Sequence, residues 1–419
     1  MKPKSFMLIA GEPSGDALAA ELVQALRREL AEAQPVPTAD YQPLHTSLEP
    51  RFFGAGGPRM AAAGVELAFD LTAHSVIGLP IKKYFKLRPL FHRLYQLALA
   101  RQPDVIICVD YGEFNRRFAQ AIRRYVRPRQ DWFHDWRPRL VQYSSPQVWA
   151  SRKGRAYQIA RDYDLLLSLF QFEKEWYAKR VPRFRVEFVG HPMVERYMQK
   201  RLPQGKLPGN HSAASPASAP SGPTIVLLPG SRAMELKRHL PVILGAIQLL
   251  RAALPNLSAR MVLPDEELAQ RAKAFGLPGD VEVQIGGLPE ALTRADLALA
   301  KTGTVTMECA YFGVPTVAYY KTSWATYQIG KRVVTVKYLA MPNLLANEAL
   351  FPEFIQGAAT SKNLAGAALE LLRDENRRAS IKRRLAEILG ALGEPGASGR
   401  AARAILRLLD QRLALPQAT

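Results

Sequence analysis

An arginine sits in a glycine turn within the stretch Thr224-Ile-Val-Leu-Leu-Pro-Gly-Ser-Arg-Ala-Met-Glu-Leu-Lys-Arg238. Ile225 to Leu228 is apolar, β-branched and bounded by turn formers, the pattern of a buried parallel strand. Pro229 and Gly230 stop it. Ser231 is placed to cap a helix whose apolar residues Leu236, Leu240 and Ile243 follow at helical spacing. Such a turn aims free backbone N–H groups and the positive end of a helix dipole at one point. The fork of Arg232 adds a cation whose geometry matches phosphate. A diphosphate site is one reading; an ordinary β–α turn with a surface arginine is the other.

A second constellation is Ala298-Leu-Ala-Lys-Thr-Gly-Thr-Val-Thr-Met-Glu-Cys-Ala310, in which a strand ends at Ala300. Thr302, Gly303 and Thr304 form a small, hydroxyl-rich turn that lets phosphate approach N–H groups closely. Glu308, on the first or second turn of the next helix, is placed to accept both hydroxyls of a ribose. Asn343 and Asn347 supply further candidate ligand contacts.

The first half of the chain places acids in turns. Gly11-Glu12-Pro13-Ser14-Gly15-Asp16 follows the strand Phe6–Ala10. It departs from the dinucleotide glycine pattern, and its two carboxylates would repel phosphate. They suit sugar hydroxyls or a base better, although Asp16 also reads as a helix N-terminal acid. Asp110 follows the apolar strand Val105–Val109, at a sheet's C-terminal edge, where burial would tune a general base; a turn acid capping the next helix is the plainer reading. His191 follows a later strand and could position a phosphate or hydroxyl, or be structural; Ser145 lies in the turn that follows the strand Leu140–Tyr143.

The elements needed to hold these turns repeat as strand and helix along both halves. Residues 202–223 are rich in Pro, Ser, Ala and Gly, the composition of a linker. The expected fold is α/β: two doubly wound Rossmann-like domains with a cleft between them, residues 1–201 and 224–390. Residues 391–419 form a C-terminal helix that packs back on the first domain or on a partner subunit. Residues 33–50 read as a surface insertion.

The chain has 419 residues, with Lys plus Arg 57 and Asp plus Glu 37, hence a formal net charge of +20. That excess favours anionic partners. Within Val76–Tyr95 Lys82, Lys83, Lys86, Arg88 and Arg93 alternate with large apolar residues and no acid. The segment has the composition of a dock on an anionic membrane, or of an amphipathic helix whose apolar side is core. No stretch is apolar enough to span a bilayer, and Phe6–Ala10 is too short for a secretory core, so a cytoplasmic location is expected. Cys108 and Cys309 read as core residues, and no metal site is indicated.

Together these motifs resemble the lipid-A-disaccharide synthases, GT-B glycosyltransferases. The resemblance rests on Gly11–Asp16, Gly54–Met60, Asp110 with Phe114 and Asn115, Ser145–Trp149, Phe188–Pro192, Leu227–Arg232 with Glu235, Thr302–Thr304 with Glu308, and Pro342–Leu345. It implies inverting transfer of 2,3-diacylglucosamine from its UDP derivative to 2,3-diacylglucosamine 1-phosphate, giving a β-1′,6-linked disaccharide and UDP. It implies that Arg232, Gly230, Ser231, Thr302, Gly303, Thr304, Glu308 and Asn343 hold UDP. Asp110 would be the base, with Glu12 and Asp16 beside the acceptor. Ser145, His191 and the 76–95 segment would complete the acceptor and membrane side. No cofactor or metal is implied; the UDP-sugar is a substrate. The inner face of a Gram-negative inner membrane is the expected location, and a homodimer is allowed. Departures are Glu113 where the family has Asp, Ser151 where it has Trp, and Asn347-Glu348 in place of a basic residue. Two rivals share parts of the pattern: a UDP-N-acetylglucosamine 2-epimerase, which needs no lipid dock, and a basic nucleic-acid binder, which the acids in the turns oppose.

Overall fold

The computed structural model describes residues 3–33, 49–74, 80–129, 131, 133–198 and 222–410, with residues 74 and 80–86 as backbone only. Most of the 33–50 insertion and of the 202–223 linker, and the side chains of Lys82, Lys83 and Lys86, lie outside the described residues.

The chain divides into two compact units, Met1–Glu195 with Leu392–Thr419, and Arg196–Ala391. The first opens with β1 (Ser5–Ala10), α1 (Pro13–Glu32), β2 (Arg51–Gly56), α2 (Pro58–Ala62), β3 (Glu66–Asp70) and α3 (Pro80–Arg101). It continues with β4 (Val105–Val109), α4 (Gly112–Val126), β5 (Arg139–Tyr143), α5 (Arg155–Asp162), β6 (Leu165–Ser168), α6 (Gln171–Ala178), β7 (Val186–Phe188) and α7 (Met193–Met198), the last reaching into the second unit. Its seven strands are parallel in the order β3-β2-β1-β4-β5-β6-β7. β1, β4 and β6 are buried along their length, which is why they read as unbroken apolar runs rather than alternating ones. Close pairing of β2 with β1 needs Gly54, where a Cβ would lie 1.9 Å from the Leu8 carbonyl oxygen.

The second unit holds β8 (Thr224–Leu228), α8 (Ala233–Ala253), β9 (Ser258–Leu263), α9 (Glu266–Ala274), β10 (Val281–Ile285), α10 (Leu288–Thr293), β11 (Leu297–Lys301) and α11 (Thr304–Tyr311). β12 (Thr316–Tyr320), α12 (Trp324–Val333), α13 (Met341–Ala346), β13 (Glu353–Ile355), α14 (Ser361–Arg373) and α15 (Glu375–Gly390) complete it. Its six parallel strands run β10-β9-β8-β11-β12-β13. α12, α13 and β13 were not foreseen, being short and weakly periodic.

The chain then returns to the first unit as α16 (Ala397–Asp410). Its Ala401, Ala402, Ile405 and Leu408 join the core containing Leu18, Leu22 and Leu26 of α1. Arg400 Nε donates to the Val189 carbonyl at 2.8 Å, and Arg407 pairs with Glu187 at 2.8 Å. Cys108 and Cys309 are buried, and burial pushes both thiols up to about 12. From Leu87 onward the apolar side of α3 is core: Leu94 and Ala98 are buried, and Phe91 packs edge-on against Phe114 and Phe118. No helix among the described residues is long and apolar enough to cross a membrane.

Candidate active site

In each sheet the strand order reverses direction once, and at that point neighbouring loops splay apart and leave a crevice at the carboxyl edge. In the first unit the point lies between β1 and β4. Ala10 pairs with Val109, so Gly11 and Asp110 leave the sheet side by side. In the second it lies between β8 and β11. Leu228 pairs with Ala300, which brings the Arg232 turn beside the Thr302–Thr304 turn.

Asp110 and Tyr111 are both left-handed, with φ of 50° and 48°. For side-chain-bearing residues this costs on the order of 1–2 kcal/mol each, so the surroundings must hold the turn. Asn115, fully buried, donates its Nδ2 to the carbonyls of Asp110 at 2.8 Å and Val109 at 3.2 Å. The Asp110 N–H donates to Tyr143 O at 3.0 Å. Gly11 leaves room for the Tyr111 ring, since a Cβ there would lie 2.3 Å from Cδ1.

Asp110 opens into a cavity of about 460 Å³ that it shares with Glu12, Arg88, Glu113 and Arg117. Leu87, Phe91, Tyr111 and Phe114 give it an apolar wall. Burial tends to raise the Glu113 carboxyl, but bonds from Arg116 and Arg117 and the charge of Arg155 outweigh this and hold it below the usual range. The cavity thus joins carboxylates and guanidinium groups to a surface suited to hydrocarbon.

Several expected site residues have other duties. Asp16 is 2% exposed, and its carboxylate accepts from the N–H groups of Gly57 at 2.8 Å, Arg59 at 3.0 Å and Met60 at 3.1 Å. It caps α2, so its carboxylate is held by that helix start. Ser145 is buried, its hydroxyl turned inward to Pro146 O at 3.2 Å and the Tyr177 hydroxyl at 3.4 Å. His191 Nδ1 accepts the Met193 N–H at 3.2 Å and so starts α7. Arg88 lines the cavity together with Asp110 and Arg117.

In the second unit Arg232, not Ser231, occupies the N-cap position of α8, with extended backbone and no side-chain cap. Ser231 instead donates its N–H to Glu235 Oε2 at 3.0 Å. Glu235 is 6% exposed and draws two cations together: Lys301 Nζ at 3.1 Å and Arg232 Nη1 at 3.6 Å from the same oxygen. Gly230 has φ 126°, and a Cβ on it would lie 2.4 Å from Glu235 Oε2, so both conformation and space demand glycine. Behind the turn His239, fully buried, presents Nδ1 to Pro229 O at 2.7 Å and accepts the Lys321 N–H on Nε2 at 3.1 Å. An Nδ1–H tautomer satisfies both of these bonds, and burial lowers the imidazole pKa from its ordinary value.

Gly303 has φ 149° and starts α11, whose first N–H groups lack helical partners. Thr302 is buried, its N–H bonded to Tyr319 O at 2.9 Å, while Thr304 is exposed. Glu308 accepts from the Tyr197 hydroxyl at 2.5 Å, and the Tyr197 ring packs on Tyr311 and Phe312. Asn343 departs from expectation. It is fully buried, its Nδ2 donates to Phe351 O and Glu353 Oε1, both at 2.7 Å, and its Oδ1 accepts the Phe351 N–H at 2.8 Å. It clamps the loop after α13 and has no exposed atom for phosphate. Lys301, His239 and Tyr197 were missed. A lone lysine ending an apolar strand and a histidine on an apolar helix stripe were the available signals for the first two; Tyr197 offered none.

A family model described as lipid-A-disaccharide synthetase matches residues 6–406. The lipid-A-disaccharide synthase of Trichlorobacter lovleyi is 34% identical over 419 residues, covering 98% of this chain and 99% of the relative. Among solved structures, the glycotransferase of kitacinnamycin superposes with a TM-score of 0.58 at 18% identity, covering 98% of this chain and all of that one. S. aureus MnaA with UDP gives 0.57 at 13% identity over both whole chains. The structural likenesses show the two-sheet fold alone. The family match spans both switch points and nearly the whole sequence, so the chain belongs to the lipid-A-disaccharide synthase family and is a glycosyltransferase.

Proposed function

We propose that the chain transfers 2,3-diacylglucosamine from its UDP derivative to 2,3-diacylglucosamine 1-phosphate, with Asp110 as base and the Arg232–Lys301 turns receiving the diphosphate. The observation that carries this is the placement of each constellation at the switch point of its own sheet. Asp110 takes the proton of the acceptor 6-hydroxyl. That oxygen forms a bond to C1 of the donor as the C1–phosphate oxygen bond breaks, and UDP leaves with the electron pair. One base and in-line attack invert the α-linked donor to a β product.

The negative charge growing on the leaving diphosphate is met by Arg232, Lys301 and the N–H groups at Gly303–Thr304. No metal is required in this scheme. Glu308 takes the ribose hydroxyls, with Tyr197 orienting it. Glu12, Arg88 and Arg117 face the acceptor, and the Leu87–Phe91–Phe114 wall takes hydrocarbon. Lys82, Lys83 and Lys86, on the same helix as Arg88, dock the first unit on an anionic membrane at the cytoplasmic face, and a second copy of the chain is its proposed partner. Incubation with both substrates should yield disaccharide 1-phosphate and one equivalent of UDP. Release of free sugar, or C2 epimerisation without disaccharide, would overturn the assignment.

A further inference from the structure

The transfer chemistry leaves unused a surface on the second unit. α12 starts just after β12, capped by Ser323, whose Oγ accepts the Thr326 N–H at 3.2 Å. None of its residues is buried. Trp324 is 73% exposed and Ile329 53%, with Val334 40% exposed just past the helix. Lys331, Arg332 and Lys337 are exposed among them. From Lys321 to Asn347 the sequence contains four cations and no acid. A helix with no fully buried residue, half-burying Tyr327, Gln328 and Val333 while it displays an indole and a branched aliphatic group beside cations, suits a boundary that is apolar on one side and anionic on the other.

We propose that α12 and the residues to Lys337 dock on the surface of an anionic bilayer. Trp324 and Ile329 enter the head-group boundary, and Lys331, Arg332 and Lys337 meet lipid phosphates. Charge complementarity selects this occupant. A dry protein interface depletes lysine and acidic residues alike at its centre, whereas an indole flanked by lysine and arginine suits the interfacial belt of a membrane. The inference concerns the second unit and is independent of the roles given to Lys82, Lys83 and Lys86.

The test uses the full chain with vesicles of phosphatidylglycerol and phosphatidylcholine, or phosphatidylcholine alone, carrying brominated acyl chains as fluorescence quenchers. The expected result is quenching on anionic vesicles that disappears in Trp324→Phe. Lys331→Glu with Arg332→Glu should weaken vesicle binding about tenfold or more at low salt, with lipid-free UDP binding unchanged. In a Lys82→Glu, Lys83→Glu, Lys86→Glu background, bound molecules should still show Trp324 quenching, so the two docks fail separately. Quenching that survives Trp324→Phe, or vesicle binding indifferent to the charge reversals, overturns the proposal. A fall in oligomer mass on Trp324→Ser without lipid would reassign the surface to a second copy. Protection of Trp324 from aqueous iodide by the acylated donor alone would reassign it to the donor's chains.

Discussion

Lys301 Nζ stands 3.1 Å from Glu235 Oε1, joining the turn after β11 to the first turn of α8. The pair is mostly shielded, with side-chain exposures of 17% and 7%. Glu235 therefore sets the spacing of two cations at the point where the second sheet splits. Replacing Lys301 with Met leaves Glu235 buried with weaker compensation from Arg232. The expected cost is about 2 kcal/mol of stability, less than for a fully buried pair because water reaches part of the lysine. UDP affinity should fall about tenfold. Denaturant midpoints and calorimetry of UDP binding check the two effects.

Asp16→Ala should act on folding, not chemistry. It removes the acceptor for three N–H groups at the start of α2, at an expected cost of about 2–3 kcal/mol. Thermal unfolding should shift down, while kcat of the folded enzyme changes less than about threefold. A wild-type melting curve with a hundredfold loss of kcat would return Asp16 to the catalytic set.

The contacts of Asp16 show where the sequence was readable and where it was not. Strand–turn–helix units announced themselves through apolar runs ending in Gly or Pro, as at Leu228–Gly230 and Val109–Gly112, and the C-terminal edges followed from them. Reading a carboxylate in a turn as chemically available was less secure. Asp16 caps a helix that begins at Pro58, and Asn343 clamps Phe351 and Glu353; both duties depend on partners distant or unmarked in sequence. Lys301 was passed over for a related reason: only the pairing of β8 with β11 brings it to Glu235.

Glu173 gives a pH signature. It is 2% exposed, and burial pushes its carboxyl from 4.5 to about 7, tempered by bonds from Ser168 at 2.6 Å and Trp149 Nε1 at 3.0 Å. Between these values the unfolded chain has released this proton while the folded chain keeps it. Its contribution to stability is full below about pH 4.5 and declines up to about pH 7, by on the order of 3 kcal/mol. Glu173→Gln should remove that slope from a plot of unfolding free energy against pH, with Trp149 fluorescence as a local reporter.

Tyr197→Phe removes the hydroxyl that donates to Glu308 but keeps the ring packed on Tyr311 and Phe312. A less well oriented carboxylate should raise KM for the UDP-sugar about threefold to tenfold, with kcat changed less than twofold. Steady-state kinetics against donor concentration separate the two. An unchanged KM would mean that Tyr197 serves packing alone.

Asp110→Asn tests the account most directly. Disaccharide formation and UDP binding are measured on the same preparation, with circular dichroism to show that the left-handed turn and the fold persist. The predicted result is a fall in turnover of about 10²–10⁴-fold with UDP affinity within about twofold of the parent. Turnover that survives the substitution would contradict Asp110 as the base.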